Sequence, residues 1–162
     1  GRYLGLGYPG GPAIDRIAME GDPTAIAFPR AMMADGLDFS FSGLKTSVVN
    51  HVRKHPEAAT ADVSASFQEA VVDVLVTKAR AAAHETGANS LCLAGGVAAN
   101  SLLRERVLDV CIADGLKPFL PSRSMCTDNA AMVAAAGWWR LNADGPTGLD
   151  AAANPNLKLP VL

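Results

Sequence analysis

Aromatic residues are scarce, with Phe, Trp and Tyr together making up 6% of the 162 residues. A core with so few rings has to be assembled from Ala, Val, Leu and Ile, and the hydrophobic fraction of 49% supplies them. Cysteine is scarce as well. The three cysteines, Cys92, Cys111 and Cys126, include no C-x-x-C pair. That excludes a disulfide framework or a zinc knuckle and fits a reducing compartment. No run of like charge exists, and the net charge is only -2. A broad electrostatic stripe for nucleic acid is therefore not expected, although a local or composite surface is compatible with the charge pattern. No apolar run reaches the roughly 18 residues of a membrane span, and no secretory signal opens the chain. Repeats and low-complexity tracts are absent. The first residue is Gly rather than Met, and it leads straight into a glycine-rich stretch, which suggests a fragment or a processed chain.

Against that background the local patterns are clear. Glycine and proline dominate residues 1–12, as in a loop, with Pro12 suited to the first turn of a helix over 13–20. The alternation Leu37, Asp38, Phe39, Ser40, Phe41 predicts a short half-buried strand. Ser42 is a candidate cap for a helix over 42–54, and Pro56 marks its end. Phe67, Val71, Val74, Leu75 and Lys78 keep the 3.6-residue period of a long helix over 61–85, with Gly87 as its stop. Short strands are predicted over 90–94 and 117–120, separated by a helix from Asn100 or Ser101 to about 113. Thr127 is a candidate cap for a last helix over 128–141, and 142–162 read as an irregular tail. This order is an α/β layout.

Three features carry possible chemistry. Leu91 to Asn100 reads L-C-L-A-G-G-V-A-A-N, a strand that ends in two glycines and feeds a helix. Such a turn lets backbone amides approach a ligand, and the helix start favours an anion. Asn100 either caps that helix or extends its amide toward the crevice. The pattern departs from G-x-G-x-x-G, which weakens a nicotinamide reading. In C-T-D-N-A-A-M, Cys126 to Met132, Asp128 falls in the first turn of the predicted helix. It is either a helix-start acid or one ligand of a metal that needs further partners. In the glycine loop before Pro12, Gly11 is open to close backbone approach. Asp15, one turn on, is either a solvated acid or an acceptor for ribose hydroxyls.

Two other patterns resemble sites without meeting their requirements. His51 and His55 have i, i+4 spacing but lack the Glu of H-E-x-x-H and sit beside Arg53, Lys54 and Pro56. That context predicts a charged surface and not a metal site. Ser42 to Thr46 breaks the G-K-[ST] of a phosphate loop with Leu44. His84, near a predicted helix end, reads as solvated.

Taken in order, G-Y-P-G-G-P-A-I-D, L-D-F-S-F-S-G-L-K-T, S-F-Q-E-A-V-V-D-V-L, A-G-G-V-A-A-N-S-L-L-R and C-T-D-N-A-A-M resemble the bacterial tRNA N6-adenosine threonylcarbamoyltransferases. That family was once described as O-sialoglycoprotein endopeptidases. The resemblance implies an actin/sugar-kinase/Hsp70-ATPase-like fold of two α/β lobes, with residues 1–141 as most of the second lobe. It implies transfer of threonylcarbamoyl from threonylcarbamoyl-AMP to the adenosine beside the anticodon, in tRNAs that read ANN codons. Gly11, Asp15 and Asn100 would bind the adenylate. Asp128 would be one ligand of a single metal, iron or zinc, which orients and polarises the carbonyl. It further implies a cytoplasmic location, a paralogous partner without the metal site, and a small ATPase subunit. No general base is identifiable.

Proteins of this family carry an H-x-x-x-H metal pair, a glycine loop and an acidic motif in the first lobe. His51 and His55 lie in the wrong place in the motif order to stand in for that pair. One metal ligand of three is therefore expected here, with no activity from the isolated chain. Two rival readings are a metallopeptidase, after the older description, and a noncatalytic nucleotide-binding module.

Overall fold

The computed structural model describes residues 1–152 and 154–156. The chain divides into two compact units, Gly1–Thr127 and Asp128–Leu162. The first carries α1 (Gly10–Ala18), α2 (Ser42–Lys54), α3 (Thr60–Thr86), β1 (Ser90–Cys92), α4 (Ser101–Asp114) and β2 (Lys117–Phe119) in that order. The strands pair in parallel, with Ser90 opposite Lys117 and Cys92 opposite Phe119. Parallel neighbours need a crossover, and α4 provides it. The result is mixed α/β, as the element order implied.

The 27-residue α3 is the spine of this unit. Val63 and Ala70 join Phe28 and Leu44 in one buried cluster. Further along the helix, Val72 joins Leu103, Val107 and Cys111 of α4 in a second. Aliphatic side chains are the majority in both clusters, with Phe28 the one aromatic among their buried residues. Gly87 (φ 64°) and Gly115 (φ 69°) end α3 and α4 in the left-handed conformation that glycine adopts without a Cβ penalty.

The loop after α1 lies flat on the first turn of α3. At Gly21 a Cβ would run into the carbonyl of Ala61, so no larger residue allows this approach. The Asp22 amide donates to Asp62 Oδ1 at 2.8 Å. Ser66 Oγ accepts from the Ile26 amide at 3.1 Å and donates to the Asp22 carbonyl at 3.2 Å. Arg30 closes on Asp73 Oδ2 through Nη2 at 2.7 Å and Nε at 2.9 Å.

Several expectations are corrected here. No strand forms over 37–41. A strand needs a neighbour for its ladder, and β1 and β2 pair with each other alone among the described residues. The carbonyls just upstream are held instead by Lys78, which donates to Asp35 O at 3.2 Å and Gly36 O at 2.7 Å. This buried ammonium, 2% exposed, is therefore solvated by peptide dipoles. Downstream, the Phe41 carbonyl accepts from the Lys45 amide at 3.0 Å and starts α2. Phe41 occupies the cap position, so Ser42 is the first helical residue and does not cap with its side chain. α1 begins at Gly10, three residues earlier than predicted, which leaves Pro12 in the first turn where its missing N–H costs nothing.

The second unit contains α5 (Ala130–Asp144). Its cap is Asn129, whose side chain accepts from the Met132 amide at 3.1 Å. Thr127 therefore does not cap this helix, and Asp128 precedes the cap instead of lying in the first turn. The helix continues past Leu141 to Asp144. Residues 145–152 and 154–156 carry no helix or strand, while 153 and 157–162 of the predicted tail lie outside the described residues. No helix among the described residues is long and apolar enough to cross a membrane.

Candidate ligand-binding site between α1, α3 and α4

Three of the predicted site residues converge on one cavity of about 650 Å³ in the first unit: Gly11, Asp15 and Asn100. The glycine turn explains how the chain arrives there. Gly95 takes φ 79° at the end of the strand, and a short 3-10 turn, Gly96–Ala99, delivers Asn100 to the start of α4. Asn100 then caps α4, with Oδ1 accepting from the Leu103 amide at 2.9 Å. Capping and cavity lining were alternatives on sequence grounds, and this residue does both.

The cap fixes the rest of its amide. With Oδ1 committed to Leu103, Nδ2 turns the other way and donates to Asp15 Oδ1 at 3.0 Å and to Gln68 Oε1 at 2.7 Å. Asp15 also receives the first N–H of α4: Ser101 N lies 3.1 Å from Oδ1 and 3.2 Å from Oδ2, and Ser101 Oγ donates to Oδ2 at 2.8 Å. An aspartate at the positive end of a helix is favoured by the macrodipole. A carboxylate has about four acceptor directions, and these contacts engage each oxygen twice, so a hydroxyl of a ligand would take the place of the longer branch of the shared Ser101 N–H on Oδ2. Gly11, at the second position of α1, has an amide with no intrahelical partner, and nothing lies within 4 Å of where a Cβ would be. Arg123 closes the rim, with Nη2 donating to Ser101 Oγ at 3.1 Å. The remaining wall is apolar and includes Phe67, Val71 and Val72 of α3 together with Val97.

Gln68, Ser101 and Arg123 were not singled out from sequence. Only Gln68 left a signal there, as a polar residue inside the apolar stripe of α3. Ser101 and Arg123 matter through contacts between distant segments.

Asp128 belongs to the second unit, where it is exposed and precedes the α5 cap, so it is not a first-turn acid. Among the described residues no group of three or more His, Cys, Asp or Glu is placed to hold a metal ion. The described residues therefore do not constitute a metal site by themselves.

The histidine pair is less polar in its surroundings than expected. The His51 and His55 rings lie 4.7 Å apart, and His51 meets Phe28 edge-on at 5.7 Å. Its Nε2 is buried with no hydrogen-bond partner, while His55 Nδ1 faces Glu57 at 3.3 Å. Both line a groove of about 550 Å³ along α2, whose lining shares no residue with the α1–α4 cavity. His84 is exposed in the last turn of α3, as expected, and also has a carboxylate partner. Its Nε2 lies 3.0 Å from Asp114 Oδ2, beside an Arg80 Nε contact of 2.6 Å to the same oxygen. Arg80 bonding and its charge, with help from His84, hold the Asp114 carboxyl below its ordinary range.

A family model described as tRNA N6-adenosine threonylcarbamoyltransferase matches residues 1–135. Proteins of that name from Geobacter sp. (strain M21) and Desulfitobacterium hafniense (strain Y51) are 50% and 52% identical to this chain over 95% and 96% of its length. One from Thermotoga neapolitana is 48% identical over 98% of it. The matches cover 46%, 48% and 49% of these relatives, so the chain spans about half their length.

Proposed function

The chain belongs to the tRNA N6-adenosine threonylcarbamoyltransferase family, and from that premise we propose that its α1–α4 cavity holds the adenylate of threonylcarbamoyl-AMP. The observation that carries this reading is the Asp15–Asn100–Ser101 cluster. It presents a carboxylate beside a helix start, at the edge of an apolar cavity. Asp15 Oδ2 accepts a ribose hydroxyl, the Gly11 amide approaches the sugar-phosphate, and Arg123 lends positive charge to the phosphate. The aliphatic wall takes the base and keeps water from the acyl phosphate.

The full-length protein, carrying these residues together with the half that the relatives have in addition, transfers the threonylcarbamoyl group to N6 of the adenosine beside the anticodon of tRNAs that read ANN codons. The N6 amine attacks the carbamoyl carbon, an N–C bond forms, and the C–O bond to AMP breaks. N6 loses a proton, while AMP departs as a phosphate that needs no protonation. Holding the adenylate in one pose supplies proximity. The two-lobed actin/sugar-kinase/Hsp70-ATPase-like architecture, the paralogous and ATPase partner subunits and a cytoplasmic site of action belong to the same reading. The relatives' names favour group transfer over peptide hydrolysis. Asp128 is proposed as one ligand of an iron or zinc ion whose other ligands lie in the remaining half. No step is drawn through that ion, because the described residues do not form its site.

Calorimetry with AMP tests the binding part. Removing the Asp15 carboxylate by Asp15→Ala costs its hydrogen bond to the ligand, about 1–3 kcal/mol for a charged acceptor. Affinity for AMP that is unchanged in that variant would sink the assignment.

A further inference from the structure

The hydrogen-bond chain that orients Asn100 also orients its neighbour. Because Leu103 N–H claims Asn100 Oδ1, the Asn100 amide nitrogen faces α3, and Gln68 must answer with Oε1. The Gln68 Nε2 is thereby turned outward as a donor. It makes no hydrogen bond among the described residues and is not one of their buried unpartnered atoms, so the donor opens onto the cavity that Gln68 lines. Phe67, Val71 and Val72 lie on the same stretch of α3 and line the same wall. Gln68 is thus the polar position in an otherwise apolar strip. Such a strip suits the edge of a flat heterocycle that carries a hydrogen-bond acceptor.

We propose that Gln68 is a specificity-determining residue, whose side-chain N–H donates to a ring nitrogen of the purine bound in the α1–α4 cavity. This rests on the adenylate reading above and adds to it the group that recognises the base. The polar end of the cavity, Asp15 with Ser101, is occupied by sugar. Gln68 lies farther along the chain of bonds, across Asn100 from Asp15, where the base would follow.

Gln68→Glu isolates the donor. A carboxylate oxygen still accepts from Asn100 Nδ2 and keeps that side chain in place, but it offers no N–H to the base. Gln68→Met, which neither donates nor accepts, is the second variant. The full-length protein is titrated with AMP and with its 1-deaza, 3-deaza and 7-deaza analogues, each lacking one ring acceptor. In the unaltered protein one analogue binds about tenfold more weakly than AMP, the loss of a single hydrogen bond. In both variants AMP itself falls by about that factor, and the penalty for the same analogue disappears. If no analogue is penalised, or if the penalty survives in Gln68→Glu, the base contact is not made by Gln68 and the proposal is overturned. Absence of AMP binding to the unaltered protein is a different result. It removes the adenylate reading and the proposal with it.

Discussion

Asn100 shows how much one side chain can decide. Its Oδ1 satisfies one of the orphaned amides of α4, and its Nδ2 ties Asp15 to Gln68. The two jobs can be separated by substitution. Asp is as good a cap as Asn, so Asn100→Asp preserves the bond from Leu103. It also replaces the amide donor with a carboxylate that faces Asp15 and repels it. Asn100→Ala loses the cap, about 1 kcal/mol of stability, but introduces no repulsion. We expect Asn100→Ala to weaken AMP binding by about 1–3 kcal/mol, and Asn100→Asp to weaken it further while capping α4 better. Melting curves and calorimetry on the two variants check this. An Asn100→Asp protein that binds AMP as the unaltered one does would show that the Asp15 pairing is irrelevant to the ligand.

At the scale of elements, α3 and α4 are joined near their C-terminal ends by Asp114. This carboxylate is 6% exposed and bonded by Arg80 and His84. Its pKa is lowered chiefly by the hydrogen bond from Arg80. A depressed native value means that the unfolded chain binds more protons between the native pKa and the ordinary one of about 3.9. The clasp therefore contributes its full stability above the ordinary value and loses it as pH falls through the native one. Asp114→Asn should be less stable than the parent chain at neutral pH, with the gap closing below about pH 4. Denaturant titrations at stepped pH follow the difference, and a gap that persists unchanged into strong acid would contradict it. The helices themselves were legible in sequence because the 3.6-residue apolar period and the Gly87 and Gly115 stops are local. The strand over 37–41 was misread because alternation records which faces can be buried. Whether a neighbouring ladder exists to pair with is a nonlocal matter.

At the scale of the molecule, Asp128 belongs to a different compact unit from the residues of the α1–α4 cavity. A stable site for zinc or iron normally has three or more protein ligands. Asp128, exposed ahead of the α5 cap, would supply one. The 162-residue chain purified alone should hold well under one equivalent of iron or zinc. His51→Ala with His55→Ala should leave the metal content of the full-length protein unchanged. Elemental analysis after extensive dialysis decides both, and a full equivalent retained by residues 1–162 would place the whole ligand set inside this chain.

The sequence by itself determined the family, the α/β order and the three residues Gly11, Asp15 and Asn100. Glycine turns, caps and motif spacing are properties of contiguous residues, and they survive without knowledge of the fold. The tertiary structure alone decided that Asn100 both caps and pairs, that Gln68 presents a donor, and that Lys78 is buried against the carbonyls of residues 35 and 36. It also decided that Asn129 takes the cap, with Asp128 outside the helix. Each of these depends on which of several chemically adequate partners the packed chain brings within about 3 Å of a polar atom. Composition and periodicity do not encode that choice, which for Asn100, Gln68 and Lys78 lies between residues 32 to 85 apart and for Asn129 between neighbouring candidate caps.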